Sequence, residues 1–120
     1  MTLSAITYRV HDDVVILDPR SRMCLSDDDG LQPLVRTLLE DGFSKFILNL
    51  DRVQYIDSTG LGGIARVNMT VTQRGGPPLK LVNVGKRVRD LLRITRLAPA
   101  FDVFESEEEA VRSFDVQSSS

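Results

Sequence analysis

The chain has 120 residues, 42% of them hydrophobic and 27% charged, with a formal net charge of −2. Those values fit one globular domain with one packed core and leave little room for a second. The acidic balance argues against a nucleic-acid binder or a membrane-surface helix, both of which ask for a basic face; the single cysteine, Cys24, excludes an internal disulfide and a Cys-rich zinc site.

Ile6, Tyr8 and Val10 alternate with Thr7 and Arg9, the period of a strand with one buried face. His11-Asp12-Asp13 reads as a turn and Val14-Val15-Ile16-Leu17 as a second strand, so the two predict an antiparallel hairpin. Asp18-Pro19-Arg20-Ser21 is loop-like, and Met23-Cys24-Leu25 fits a short edge strand. Leu31, Leu34, Val35, Leu38 and Leu39 then recur at helical spacing. Pro33 is tolerated only in a first turn, which places the helix cap near Asp29, not Ser26; Gly42 ends the helix.

Phe46-Ile47-Leu48-Asn49-Leu50 is the nearly continuous apolar run of a strand buried on both faces. Val53, Tyr55 and Ile56 lead to Asp57-Ser58-Thr59-Gly60-Leu61-Gly62-Gly63 and a second helix carrying Leu61, Ile64, Ala65, Asn68 and Val71 on one side. Gly75-Gly76-Pro77-Pro78 breaks that helix. Leu79, Leu81 and Val82 form a strand, Val88, Leu91 and Leu92 a third helix, and Phe101, Val103 and Phe104 a last short strand. Ser106 with Glu109 makes a capping box for a final helix, followed by a tail over residues 116–120. The expectation is one α/β domain over residues 1–115: a mixed sheet of four or five strands with helices mainly on one face. The N-terminus lacks a basic start followed by an apolar run, and no stretch approaches 18 apolar residues, so a cytoplasmic location without a membrane span is expected.

The segment from Asp57 to Gly63 carries the chemistry. A strand, a short polar turn and a helix start bring free N–H groups and a helix dipole to one place, which suits an anion. Either Asp57 or Ser58 can cap that helix. Plain capping is therefore a sufficient local explanation of Asp-Ser-Thr-Gly. It does not explain Gly60, Gly62 and Gly63, each of which lowers helix propensity by about 1 kcal/mol relative to alanine.

Leu48-Asn49-Leu50 followed by Tyr55-Ile56-Asp57-Ser58-Thr59-Gly60-Leu61-Gly62 resembles the anti-sigma factor antagonists of the STAS domain family. The likeness extends through Gly75-Gly76, the strand Leu79-Lys80-Leu81-Val82, Val88-Arg89-Asp90-Leu91-Leu92 and the Phe101 to Phe104 stretch, from about residue 31 onward. The resemblance implies a STAS-like fold and a binding protein, not an enzyme, with Ser58 as phosphoacceptor. Asp57, Ser58, Thr59, Gly60, Leu61 and Gly62 would form the partner surface. It implies an anti-sigma factor with serine-kinase activity that phosphorylates Ser58, and a PP2C-like phosphatase that removes the phosphate; the ATP and the metal belong to those partners, and the chain itself needs no cofactor. Unphosphorylated protein would bind the anti-sigma factor and release a sigma factor. Such domains also serve as constitutive subunits of stressosome-like or lipid-transport complexes, so a scaffold is the alternative. The sequence departs from the family after the second strand: a Gly-Glu-Leu-Asp-like turn is replaced by Leu17-Asp18-Pro19-Arg20-Ser21-Arg22.

Other patterns carry less. Asp27-Asp28-Asp29-Gly30 would put Leu25 and Arg36 at ligand positions of a calcium loop, which they cannot fill. Gly85-Lys86 lacks the upstream glycine of a P-loop. A serine hydrolase would have to use His11, in a predicted turn, without a Gly-x-Ser-x-Gly elbow. Asn68-Met69-Thr70 lies in a predicted helix, against its use as a glycosylation site. Lys86, Arg87, Arg89, Arg93 and Arg96 form a basic cluster whose ordinary explanation is a solvated helix face.

Overall fold

A computed structural model of the chain describes residues 6–19, 21–23, 31–96 and 101–118. A two-residue turn at Asp12 and Asp13 joins β1 (Ile6–His11) to β2 (Val14–Pro19) as the expected antiparallel hairpin, with His11 opposite Val14. Asp12 takes a left-handed conformation (φ 58°), which aspartate tolerates better than most residues. There follow β3 (Ser21–Met23), α1 (Leu31–Glu40), β4 (Lys45–Asn49), β5 (Val53–Ile56), α2 (Ser58–Gln73), β6 (Lys80–Val82), α3 (Lys86–Ile94), β7 (Asp102–Phe104) and α4 (Glu107–Ser118).

Five strands make one mixed sheet in the order β1-β2-β4-β6-β7, antiparallel only at the hairpin; β3 and β5 pair in parallel as a separate ribbon. Parallel neighbours need crossover connections. Here α1, α2 and α3 supply them in turn between β2, β4, β6 and β7.

Alternation along the strands sorts the two layers. Val15, Leu17, Phe46, Leu48 and Leu81 point to the side covered by α1, α2 and α3, where they meet Val35, Leu38, Leu61, Ile64, Val71, Val88 and Leu92. Val14, Ile16, Ile47 and Val82 point to the other side, where Ala110 and Phe114 of α4 cover them. Each fully buried large apolar side chain contributes roughly 1.5–3 kcal/mol. The central position of β4, between β2 and β6, is what makes its run apolar on both faces.

The helix ends follow local chemistry. Pro33 lies in the first turn of α1, and Gly42 (φ 104°) closes that helix, with the Phe43 N–H donating to the Leu38 carbonyl at 3.1 Å. The cap expected at Asp29 and the acidic run 27–29 lie outside the described residues, as do Cys24 and Leu25. Gly76 must be glycine: a Cβ there would lie 2.7 Å from the Ser44 carbonyl oxygen. At α4, the Ser106 hydroxyl accepts from Glu109 N at 3.2 Å, as the capping box predicts. This helix continues to Ser118, into the segment expected as a tail, because neither glycine nor proline stops it. Among the described residues, no helix is long and apolar enough to cross a membrane.

Candidate functional site

β5 delivers the chain to the start of α2 through a single extended residue, Asp57 (φ −115°, ψ −175°). Of the two possible caps, Asp57 takes the role: its Oδ1 accepts from Gly60 N at 2.8 Å, and its carbonyl accepts from Leu61 N at 2.9 Å. Ser58 is therefore the first residue inside the helix, where the backbone N–H groups have no intrahelical acceptor. Thr59 is exposed, while Gly62 and Gly63 are half-buried.

Leu61 departs from the expected contact surface. It is fully buried, in the same core as Ile64 and Phe46. The reason is helical geometry: residues 61 and 64 lie on the inner face, so Leu61 anchors the helix start, and Thr59, Gly62 and Gly63 are left on the outer side. Gly60 is also buried. At Gly62 and Gly63 a Cβ would meet nothing within 4 Å. Packing among the described residues gives no reason for glycine at either position.

The start of α3 borders this site. Gly85 is its N-cap, without a side-chain hydrogen bond, and Lys86 and Arg87 occupy the first turn. Arg87 Nε donates to the Ile56 carbonyl at 3.5 Å, just before Asp57. A cleft of about 380 Å³ lies between these segments, lined by Ile56, Val53, Asp51, Asn83, Lys86 and Arg87. The basic cluster is thus divided. Arg89 donates to the Val84 carbonyl at 3.2 Å and pairs with Glu105 at 3.8 Å, and Arg93 pairs with Asp90 at 3.0 Å. Lys86 and Arg87 face the cleft.

Asn49, at the end of β4, ties the loops behind the site together. Its Oδ1 accepts from Asp51 N at 2.9 Å and from Asn83 Nδ2 at 3.0 Å, and its Nδ2 donates to Glu107 of α4. Arg9 Nη2 also reaches that carboxylate, at 2.7 Å. Only the apolar setting of Asn49 could have pointed to this hub. Arg87 had a clearer signal, a cation at the helix end where the dipole disfavours it.

The remaining candidates stay apart from the site. His11 sits beside Asp12 at the turn where β2 and β4 begin, whereas Ser58 follows the strand after β4 ends. Asn68 is buried, and its Oδ1 accepts from Leu79 N at 2.8 Å, a structural role incompatible with glycosylation. Among the described residues, no group of three or more His, Cys, Asp or Glu could hold a metal ion.

A five-stranded mixed sheet with three helices on one face, and an aspartate-capped helix at the crossover from β5, is the architecture of a STAS domain. A family model for that domain matches residues 5–110, and the chain belongs to the STAS family. The match takes in the hairpin as well, beyond the likeness read from residue 31 onward. A Thermotoga neapolitana protein described as an anti-sigma factor antagonist is 31% identical over 105 residues, spanning 87% of this chain and 92% of its own length. The crystal structure of a Thermotoga maritima protein, likewise described as an anti-sigma factor antagonist, superposes with a TM-score of 0.75 at 27% identity, covering 90% of this chain and 92% of that one. The antagonist SpoIIAA shares the fold in its unphosphorylated form (TM-score 0.72, 18% identity, 92% and 98% coverage). Its phosphorylated form, from Bacillus, does so too (TM-score 0.70, 20% identity, 92% and 99% coverage).

Proposed function

We propose that this chain is an anti-sigma factor antagonist that works by binding, not catalysis, and is switched by phosphorylation of Ser58 in the cytoplasm. Unphosphorylated protein binds an anti-sigma factor with serine-kinase activity and so releases a sigma factor. The partner's ATP donates its γ-phosphoryl group to the Ser58 hydroxyl with ADP as leaving group, and a PP2C-like phosphatase hydrolyses the phosphoserine.

One observation carries this reading. Gly62 and Gly63 stand on the outer side of α2, about one turn after Ser58, where a Cβ would meet nothing within 4 Å among the described residues. Glycine costs helix stability, and the natural compensation is a partner backbone that approaches closely. Asp57, Thr59 and Gly60 complete the helix start, with Leu61 holding it from below. A phosphate there adds about −1.5 to −2 charges and three bulky oxygens at the centre of such a contact. The family membership and the named relatives support the same reading.

The test is capture from the source cell's lysate by unphosphorylated protein and by protein carrying phosphoserine at position 58. Retention of a histidine-kinase-like ATP-binding protein by the unphosphorylated form alone is the expected result. Equal capture by both forms, with no kinase-like protein among the partners, would replace the switch by a constitutive scaffold.

A further inference from the structure

The apolar alternation of β1 is left half used within the chain. Ile6, Tyr8 and Val10 share one face of that strand, opposite Pro19, Leu17 and Val15 of β2. Ile6, Leu17 and Val15 are buried there, but Tyr8 is 46% exposed and Val10 47%. We propose that β1 is a homodimerisation edge. The β1 strands of two copies pair antiparallel about a two-fold axis at Tyr8 and join two five-stranded sheets into one.

Backbone register is the first argument. His11 and Val14 flank the two-residue turn, so they exchange both hydrogen bonds of a hairpin-closing pair. Bonded and non-bonded pairs alternate along an antiparallel ladder. Thr7, Arg9 and His11 therefore bond to β2, and the N–H and C=O groups of Tyr8 and Val10 point away from it. Pro19, which has no N–H, falls at a non-bonded position, as this register requires. Among the described residues no strand lies beyond β1.

The second argument is that this edge is unguarded. Sheets protect their edges with short strands, bulges, proline or lysine. The opposite edge, β7, has three residues, all half-buried. In contrast, β1 has six, follows β2 in unbroken register and contains neither proline nor lysine. Its arginine, Arg9, points to the other face of the sheet, where Glu107 neutralises it.

Thirdly, self-complementarity makes a second copy the occupant. A two-fold axis through the sheet keeps each face on its own side, so even positions meet even and odd meet odd. Tyr8 then meets its own counterpart, with both hydrogen bonds exchanged between them. Val10 packs beside Ile6, and Thr7 beside Arg9. Aromatic and β-branched neighbours are favourable cross-strand pairs, and no like charges face each other. An axis centred on Arg9 would set two arginines opposite, and one centred on Thr7 would leave Val10 uncovered. Pairing over residues 6–10 covers less than the roughly 1,200–2,000 Å² of a standard interface, so the dimer is weak and concentration-dependent. The edge lies two strands from β4, and the helix start at Ser58 stays open in both copies.

The experiment is sedimentation velocity of the full chain from about 10 μM to 1 mM, the range of a weak dimer. It compares the unsubstituted protein with Tyr8→Lys and with Ile94→Lys on α3, a control at another exposed apolar side chain (72%). The unsubstituted protein and the control should pass from monomer to dimer over this range. Tyr8→Lys should need at least about tenfold more protein, because it sets two lysines opposite each other. Disulfide trapping in a Cys24→Ser background reads the register independently. Tyr8→Cys brings its Cα to about 5.5 Å from its counterpart, within disulfide reach, and should cross-link under mild oxidation. Arg9→Cys, displaced from its counterpart by two residues, should not. A dimer indifferent to Tyr8→Lys, an equal loss in Ile94→Lys, or stronger cross-linking at position 9 than at position 8 would overturn the proposal. A monomer at every concentration would overturn it too, and leave the edge to a strand from a different protein.

Discussion

Asn49 Oδ1 and Asn83 Nδ2 meet at 3.0 Å, which fastens the end of β4 to the turn between β6 and α3. Asn83 holds a left-handed conformation there (φ 57°), and Asn49 is buried. Together they position the loops that carry Asp51, Gly85 and Lys86 beside the helix start at Ser58. Asn49→Ala strands the Asn83 amide and the Asp51 N–H and takes a donor from Glu107. The expected cost is about 2 kcal/mol, read as a lower urea midpoint with an unchanged m-value. A loss below about 0.5 kcal/mol, less than one typical hydrogen bond contributes, would mean that water replaces Asn49 and that it is no hub.

Asp57 offers a way to separate capping from charge. Its Oδ1 accepts from Gly60 N at 2.8 Å, and an asparagine oxygen can do the same. Asp57→Ala should therefore cost about 1 kcal/mol of stability, and Asp57→Asn only a few tenths of that. Equilibrium denaturation measures both. If asparagine proved as costly as alanine, the carboxylate charge at the helix end, and not the hydrogen bond, would be the stabilising element.

Much of this architecture can be read locally. The hairpin, the two-sided β4 and the capping box at Ser106 follow from periodicity and cap chemistry among neighbours in sequence. The cap of α2 was ambiguous because Asp57 and Ser58 are equally suited to the role; the extended backbone at Asp57 decides it. Leu61 was assigned to the surface by the motif, although its helical spacing with Ile64 and Val71 already placed it in the apolar stripe. Asn49 illustrates what local pattern cannot supply: its partners lie 34 and 58 residues away, and only the closed sheet brings them together. The same holds for Arg87, whose acceptor is 31 residues upstream.

Gly62→Ala gives opposite expectations for stability and for binding. With no described residue within 4 Å of the new Cβ, alanine should stabilise α2 by about 0.5–1 kcal/mol. If a partner backbone lies against this face, the added methyl should weaken its binding about tenfold, or 1.4 kcal/mol. Denaturation and titration calorimetry with the partner found by capture read the two effects. Unchanged affinity would move the interface away from the outer face of α2.

The Asp13–Lys45 pair, at 2.8 Å, gives a pH dependence of known sign. The hydrogen bond from Lys45 holds the Asp13 carboxyl below its usual value of 3.8. A carboxyl depressed in the folded state stabilises the protein above its unfolded pKa, and the contribution disappears as pH falls through the folded value. Asp13 is largely exposed, so solvent screening limits the pair to about 0.5 kcal/mol. Asp13→Asn should lower stability by that amount at pH 7 and by nothing once the pH is below the folded value, where both states are protonated. A difference that persisted in strong acid would reveal a cause other than ionisation.

Lys80 poses the sharpest energetic question, since it is a fully buried lysine in a chain of modest size. Its alternation with Leu81 puts it on the α4 side of the sheet, beside Val82 and beneath Phe114. Nζ lies 3.1 Å from Asp102 Oδ2, 4.5 Å from the Phe114 ring centroid and 5.2 Å from that of Phe104. The carboxylate and two ring faces together offset the loss of water. Removing one partner is therefore worse than removing the charge. Asp102→Ala should cost about 2–3 kcal/mol, at the low end for orphaning a buried ion because Asp102 is 45% exposed and the rings remain. Lys80→Met, of similar length, should cost less than about 1 kcal/mol or stabilise, because a thioether fills the same space without needing a counter-charge. Urea unfolding of both variants decides between them. Should Lys80→Met prove the more damaging, the ammonium would be contributing more than it costs to bury, and the link it makes between β7 and α4 would be a principal tie of that layer.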